Sequence, residues 1–199
     1  MTNLEVELKN AQEEVKNKCG RNMLLFQQAE HLLKYLVSIG KISGYASEVN
    51  NKLEKQKEKT SIKTLGQLVG TFLENTFSEH EENVSPEVLE EVFISTSFKI
   101  ESDAAFHEAR KQALALMVVD RNDLNHHLFP RIKFSSIDSC RESILYLDKQ
   151  REKHLPEIEI LKNIVKSHQE SIKVLAQVLD SDEFWTGIDS EISTKQLNK

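Results

Sequence analysis

Apolar side chains recur every three or four positions through most of the chain, and this spacing predicts amphipathic helices. One helix is predicted over residues 3–19 and a stronger one over 22–39. Gly20 and Asn22 fall between them and are expected to interrupt or bend the helix. A further helix is predicted over 62–77, where a wide apolar face is typical of a buried helix.

The pattern changes in three places. The two glycines of 40–44 predict a turn. Residues 45–59 are rich in lysine and glutamate and predict a solvated helix or a mobile loop. After an acidic stretch over 78–91, apolar and polar residues alternate over 92–100, and the alternating residues are mostly β-branched or aromatic. That segment predicts a strand, which needs a pairing partner that the sequence does not identify.

Helical periodicity returns in the second half. Residues 103–128 predict a long helix with small alanines suited to close helix packing. Residues 136–180 predict a long helix or a helical hairpin with near-heptad apolar spacing, kinked or split at Pro156. The chain is therefore predicted to be mainly α: a helical bundle with a small β element near 92–100 and a long C-terminal, coiled-coil-like helical arm. We expect a helical domain over 1–135 and the arm over 136–199.

Composition and charge limit the partners and the cellular compartment that we expect for this protein. The 199 residues carry a formal net charge of −6, so a general basic footprint for nucleic acid is absent and any such contact must be local. The two cysteines, Cys19 and Cys140, lie far apart without a motif, which favours free thiols in a reducing compartment. The N-terminus does not resemble a signal peptide, and no apolar run approaches the roughly 18 residues of a membrane span. We expect a cytoplasmic protein without membrane contact.

Polar residues that can do chemistry are concentrated at the end of the 103–128 helix. Over two turns, Leu124 is the single apolar residue among the seven from Arg121 to His127. At about 100° per residue, Asn122 and His126 share a face, whereas Arg121 lies about 140° from His126 and needs its long side chain to reach it. Zinc spacings, glycine-rich phosphate loops and serine nucleophile motifs are missing. Asp123 and His127, at i and i+4, could form only a partial metal site, so we predict no metal and no cofactor.

These residue types suit cleavage of a phosphodiester at a 2′-hydroxyl. Histidine titrates near neutral pH and can transfer a proton. Arginine can hold a phosphate and stabilise its growing charge, and asparagine adds a neutral hydrogen-bond donor. RNA brings its own nucleophile, so the reaction needs no metal. The alternative is structural: Arg121, His126 and His127 could be solvated or cap the last helical turn.

The segment resembles the R-x4-6-H signature of the HEPN superfamily (higher eukaryotes and prokaryotes nucleotide-binding), in which a polar residue, often Asn, follows the Arg. Arg121 and Asn122 begin the motif. His126 completes it with four intervening residues and His127 with five; we prefer His126 because Leu124 then takes the apolar position. A weaker resemblance covers 21–37, where Glu30 stands in the place of an acidic residue that often approaches the motif.

The resemblance implies a helical bundle that forms a homodimer with its two motifs facing each other across a cleft. It implies a metal-independent endoribonuclease of toxin–antitoxin, phage-defence or RNA-processing type. Arg121, His126 and Asn122 would be its catalytic residues, supported by Glu30, His127 and Asp123. RNA would be the substrate, and an antitoxin or another protein a further partner. Two alternatives stay open: a noncatalytic HEPN-like module that binds RNA or protein, and a helical coiled-coil adaptor.

Overall fold

The protein is mainly α-helical, as predicted. A computed structural model describes residues 2–77, 93–181 and Thr186, and these form a helical bundle with one two-stranded sheet. The elements are α1 (Asn3–Ile39), β1 (Lys41–Tyr45), α2 (Ala46–Ser61), α3 (Leu65–Phe77), β2 (Phe93–Ser97), α4 (Ala104–His126), α5 (Leu128–Arg131) and α6 (Ile137–Leu179).

The first helix is continuous where the sequence suggested an interruption. α1 begins with a capping box, in which Thr2 and Glu5 satisfy each other's backbone N–H groups. Gly20 is exposed within the helix. Asn22 is fully buried because its side chain completes the buried stripe of α1 and finds partners on α6. Tertiary contacts along the buried stripe therefore stabilise a continuous helix, although Gly20 has a low helix propensity.

The predicted strand near 92–100 is confirmed, and its partner is the segment predicted to be a turn. β2 pairs antiparallel with β1, with Tyr45 opposite Phe93 and Lys41 opposite Ser97. The turn prediction for 40–44 was wrong because Lys41–Tyr45 pairs along its whole length with β2. A Cβ at Gly44 would lie 2.7 Å from Nζ of Lys52, so the glycine leaves room for that lysine on α2.

The core is formed by α1, α3, α4 and the first part of α6. α3 buries Leu65, Leu68, Val69 and Phe72 against its neighbours, which confirms the wide apolar face. α2 covers the segment for which the sequence predicted either a solvated helix or a mobile loop, and it is a helix. Thr60 is its single buried residue among those described. Its stability comes from its contacts with α1 and β1 rather than from an apolar face of its own.

The described part of the second half contains the long helices α4 and α6, joined through the short helix α5. The Asp103 carboxylate caps α4 by accepting from the N–H of Phe106 at 2.7 Å. α6 is one helix that contains Pro156 and is not split into a hairpin. The first compact unit of the chain extends to Lys162 and the second begins at Asn163, so the first part of α6 belongs with the bundle. No helix in the described ranges is long and apolar enough to cross a membrane.

Candidate functional site

The motif residues occupy the last turns of α4. Asn122 and His126 are exposed on one face, separated by one helical turn. Arg121 is half-buried, and its Nη1 donates to Oδ1 of Asn122 at 3.2 Å. Since Asn122 lies only about 40° from His126 around the helix, this bond brings the guanidinium toward the face that carries the histidine.

The two histidines differ in their relation to α4. His126 is the last helical residue, and His127 leaves the helix with φ −122° and ψ −25°. Both rings are exposed, and their centroids are 6.2 Å apart. A positive charge at the carboxyl end of a helix is favoured by the helix dipole. His126 alone keeps the helical spacing that places it on the face of Asn122.

Asp123 is a structural anchor in this structure. Its Oδ2 accepts a hydrogen bond from Oη of Tyr146 at 2.8 Å and also pairs with Arg131. Burial, and then the bond to Asp123, raise the pKa of Tyr146 to about 12, so its hydroxyl remains a donor at neutral pH. These two partners tie the carboxylate to α5 and α6 through the same oxygen, Oδ2.

Glu30 is not brought to the motif. Its carboxylate pairs with Nζ of Lys34 at 2.8 Å, one turn further along α1, and within the described ranges it contacts neither Arg121 nor His126. Asn22 of α1 and Asp120 of α4 lie at the same height in the bundle, because both form a hydrogen bond with Gln150 of α6. Helical rise places Glu30 about 12 Å from that level along α1. α1 and α4 run antiparallel, so His126 lies about 9 Å from the same level in the opposite direction.

A buried polar network that sequence reasoning missed lies directly behind the motif. Nε2 of His154 is 2.7 Å from Oδ2 of Asp120, the residue that precedes Arg121. The amide of Gln150 donates to the backbone carbonyl of Asp120 at 3.2 Å and accepts from Nδ2 of Asn22 at 3.0 Å. Three helices are therefore joined by one network at the turn that begins the motif.

Burial sets the charge state of the histidine in this network. His154 is 2% exposed, and this burial lowers its pKa below the ordinary value, although the hydrogen bond to Asp120 acts in the opposite direction. The ring is thus neutral near pH 7 and donates its Nε2–H to the carboxylate. Lys153, on the outer side, supplies the positive charge that pairs with Asp120.

The apolar stripes of α4 and α6 contain the signal that could have revealed the network. Asp120 lies three residues after Met117 and four before Leu124, so it occupies a core position of α4. His154 falls on the α6 stripe, seven residues after Leu147. A carboxylate and an imidazole at core positions need buried partners, and each is the partner of the other.

Within the described ranges, no group of three or more His, Cys, Asp or Glu side chains is arranged to hold a metal ion. No protein-family model, curated protein or solved structure matches the chain.

Proposed function

We propose that the protein is a metal-independent endoribonuclease that cleaves RNA through Arg121 and His126 in the cleft of a homodimer, in the manner of the HEPN proteins it resembles. The observation that supports this most directly is the hydrogen bond from Arg121 to Asn122. It directs a phosphate-binding guanidinium toward the exposed helical face on which His126 lies, and this combination suits phosphodiester cleavage.

The proposed reaction is an internal transfer. The 2′-oxygen of RNA attacks the adjacent phosphorus, the bond from phosphorus to the 5′-oxygen breaks, and the product is a 2′,3′-cyclic phosphate. One group removes the 2′-hydroxyl proton and another protonates the leaving 5′-oxygen. His126 supplies one of these groups, Arg121 holds the non-bridging oxygens as charge builds, and Asn122 orients the guanidinium.

Two proton transfers favour a dimer, since one motif contains one histidine of the preferred spacing. The exposed face of α4 supports such an association. Val119 is 61% exposed, and seven residues at about 100° each place it within about 20° of His126 around the helix. Leu116, one turn earlier, is 41% exposed. Apolar side chains beside a polar site are suited to pairing with a second copy of the same face.

The test is cleavage of total RNA by purified protein in the presence of EDTA. We expect fragments ending in 2′,3′-cyclic phosphate or 3′-phosphate. Arg121→Ala and His126→Ala should each reduce the rate by at least about 100-fold. His31→Ala, which removes an exposed histidine of α1, is the matched control and should retain activity. Intact RNA with a folded dimer, or unchanged cleavage by either motif variant, would contradict the proposal.

A toxin-like role in a toxin–antitoxin or phage-defence system is the biological setting we propose. Expression of the protein should then stop growth, and Arg121→Ala should relieve the arrest. A noncatalytic binding module would associate with RNA or protein without cutting.

The adaptor alternative is favoured by one feature of the second unit. Ile172, Leu175 and Leu179 are spaced three and four residues apart on α6 and are 48%, 40% and 43% exposed. An adaptor would keep its function when Arg121 and His126 are both replaced.

A further inference from the structure

Three of the four lysines of α2 lie on one face, and the fourth, Lys57, pairs with Glu54 away from that face. Lys52, Lys55 and Lys59 follow one another at steps of three and four, so they form a stripe along the helix. Glu54 and Glu58 lie on the opposite face, at about 200° and 240° from Lys52. A segment of mixed charge along the sequence therefore has one positive side in the folded protein.

This lysine stripe borders a groove between β1, α2 and α3 with a volume of about 560 Å³. Five lysines line the groove: Lys41, Lys52, Lys55, Lys59 and Lys63. Its other polar lining residues are serine, glutamine, threonine and asparagine, and neither a carboxylate nor an aromatic ring is among the described lining residues. In a chain of net charge −6, this is a local concentration of positive charge.

Hydrogen bonds to the backbone fix the groove walls. Nε2 of Gln56 donates to the carbonyl oxygens of Val37 and Lys41 at 3.1 and 3.3 Å, which holds α2 against the end of α1 and the start of β1. The Lys52 side chain lies over Gly44 and pairs with Glu48 at 3.0 Å. Glu48 therefore reduces the charge at one end of the stripe.

Three of the lysines keep their charge available to a ligand. Lys63 donates to the Thr71 hydroxyl at 2.9 Å, a neutral partner that leaves its charge uncompensated. Lys55 and Lys59 are exposed and have no ion pair or hydrogen bond with any described residue. Their ammonium groups are on flexible stems, which suits contact with successive phosphates better than recognition of one fixed geometry.

The groove is separate from the motif. Asn22 of α1 lies at the level of Asp120, whereas Val37 of α1 lines the groove. These two positions are fifteen residues apart, or about 22 Å along the helix. The direction is away from His126, so a ligand confined to the catalytic face would not reach the lysines.

We propose that this lysine groove binds the sugar–phosphate backbone of a single-stranded RNA. The inference rests on the proposed ribonuclease function and extends it: the substrate is a strand long enough to engage the groove while another part of it lies at Arg121 and His126. The lysines supply point charges for phosphates, and the neutral side chains supply hydrogen bonds. Without an aromatic platform for bases, binding in the groove depends on charge and is insensitive to sequence.

Binding is measured by fluorescence anisotropy with a labelled single-stranded RNA, using His126→Ala protein so that the RNA stays intact. Adding Lys55→Gln and Lys59→Gln should weaken binding about tenfold at low salt. It should also reduce the slope of log affinity against log salt by about 1.4, or about 0.7 for each phosphate that is no longer neutralised. Lys9→Gln with Lys16→Gln, an equal charge change at exposed positions of α1, should leave the slope unchanged. Equal affinity and slope for the groove variant would overturn the inference.

A second arm separates this inference from the proposed catalysis. In protein with an intact motif, the groove variant should raise KM for long RNA and leave cleavage of a dinucleotide unchanged, since a dinucleotide cannot span the distance. If the unmodified protein binds RNA without cutting it, and replacing Lys55 and Lys59 weakens that binding, the groove inference is supported and the nuclease proposal fails. If cleavage depends on His126 but long RNA is bound and cut equally by the groove variant, the groove inference alone fails.

Discussion

Nε2 of His154 lies 2.7 Å from Oδ2 of Asp120, and both side chains are buried between α4 and α6. The pair fixes the turn of α4 that immediately precedes Arg121. Gln150, which bonds to the Asp120 carbonyl, fixes the backbone of the same turn. The exposed motif therefore follows a helical turn that is held in place by buried hydrogen bonds to α6. Functional side chains need such support if they are to keep a fixed geometry.

The His154–Asp120 pair predicts that the protein loses stability in mild acid. The pKa of His154 is lowered in the folded state by burial, so below the ordinary value of 6.5 the unfolded chain binds the proton more readily. Its contribution to stability is present above pH 6.5 and is lost as the pH falls toward the folded pKa. The free energy of unfolding, measured by urea denaturation at pH 7.5 and pH 5.5, should be smaller at the lower pH.

His154→Gln provides the control for this pH effect, because glutamine keeps an N–H donor for Asp120 but does not titrate. We expect a smaller decrease in the free energy of unfolding between the same two pH values. An identical decrease in the variant would show that another group is responsible.

Asn22→Ala should lower the free energy of unfolding by about 3 kcal/mol. The Asn22 amide donates to the Leu147 carbonyl at 2.7 Å and to the Gln150 side-chain oxygen at 3.0 Å, and its loss removes both bonds from the buried network. Asn17→Ala, at an exposed position of the same helix, should change it by less than about 0.5 kcal/mol. Urea denaturation of both variants tests the difference, and equal effects would mean that the network contributes little.

Arg110→Met should be more destabilising than the double variant Arg110→Met/Glu157→Leu. Glu157 is 4% exposed and pairs with Arg110, while burial raises the pKa of its carboxyl. Removing only the arginine leaves a buried charge unpaired, at a cost of about 3 kcal/mol, whereas removing both groups leaves an apolar contact. Thermal unfolding of the two variants at pH 7 compares them. A double variant less stable than the single one would contradict this.

Val119→Glu should convert the proposed dimer to a monomer and abolish ribonuclease activity without unfolding the protein. A carboxylate on the exposed face of α4, two turns before His126, would be buried against its own copy in the dimer. Sedimentation velocity measures the oligomeric state. Ile62→Glu, at a residue that is 84% exposed after α2, should leave both properties unchanged. A dimer that survives Val119→Glu would show that this face is not the interface.

The contrast between the two neighbouring histidines tests the motif spacing. His126→Ala should reduce the rate of RNA cleavage by at least about 100-fold, while His127→Ala should have a much smaller effect because His127 lies outside the helix. Single-turnover cleavage assays give both rates. A larger loss with His127→Ala would assign the motif histidine to the longer spacing.

The sequence by itself determined the helical class, the approximate limits of α3, α4 and α6, and the strand near 92–100. Helical periodicity and strand alternation are local properties of the sequence, so they predict secondary structure without knowledge of the tertiary contacts. The same local geometry predicts that Asn122 and His126 share a face and that Arg121 must reach around the helix toward it.

Only the tertiary structure decided which distant residues meet. β1 is a strand because β2 pairs with it, and the Lys52 side chain of α2 lies over Gly44 of that strand. Glu30 pairs within its own helix and lies away from the motif because α1 and α4 run antiparallel, an orientation that no local pattern encodes. Asp120 and His154 are separated by 34 positions and could be paired only once α4 and α6 were packed together, since a buried charge is stabilised by partners that the fold supplies.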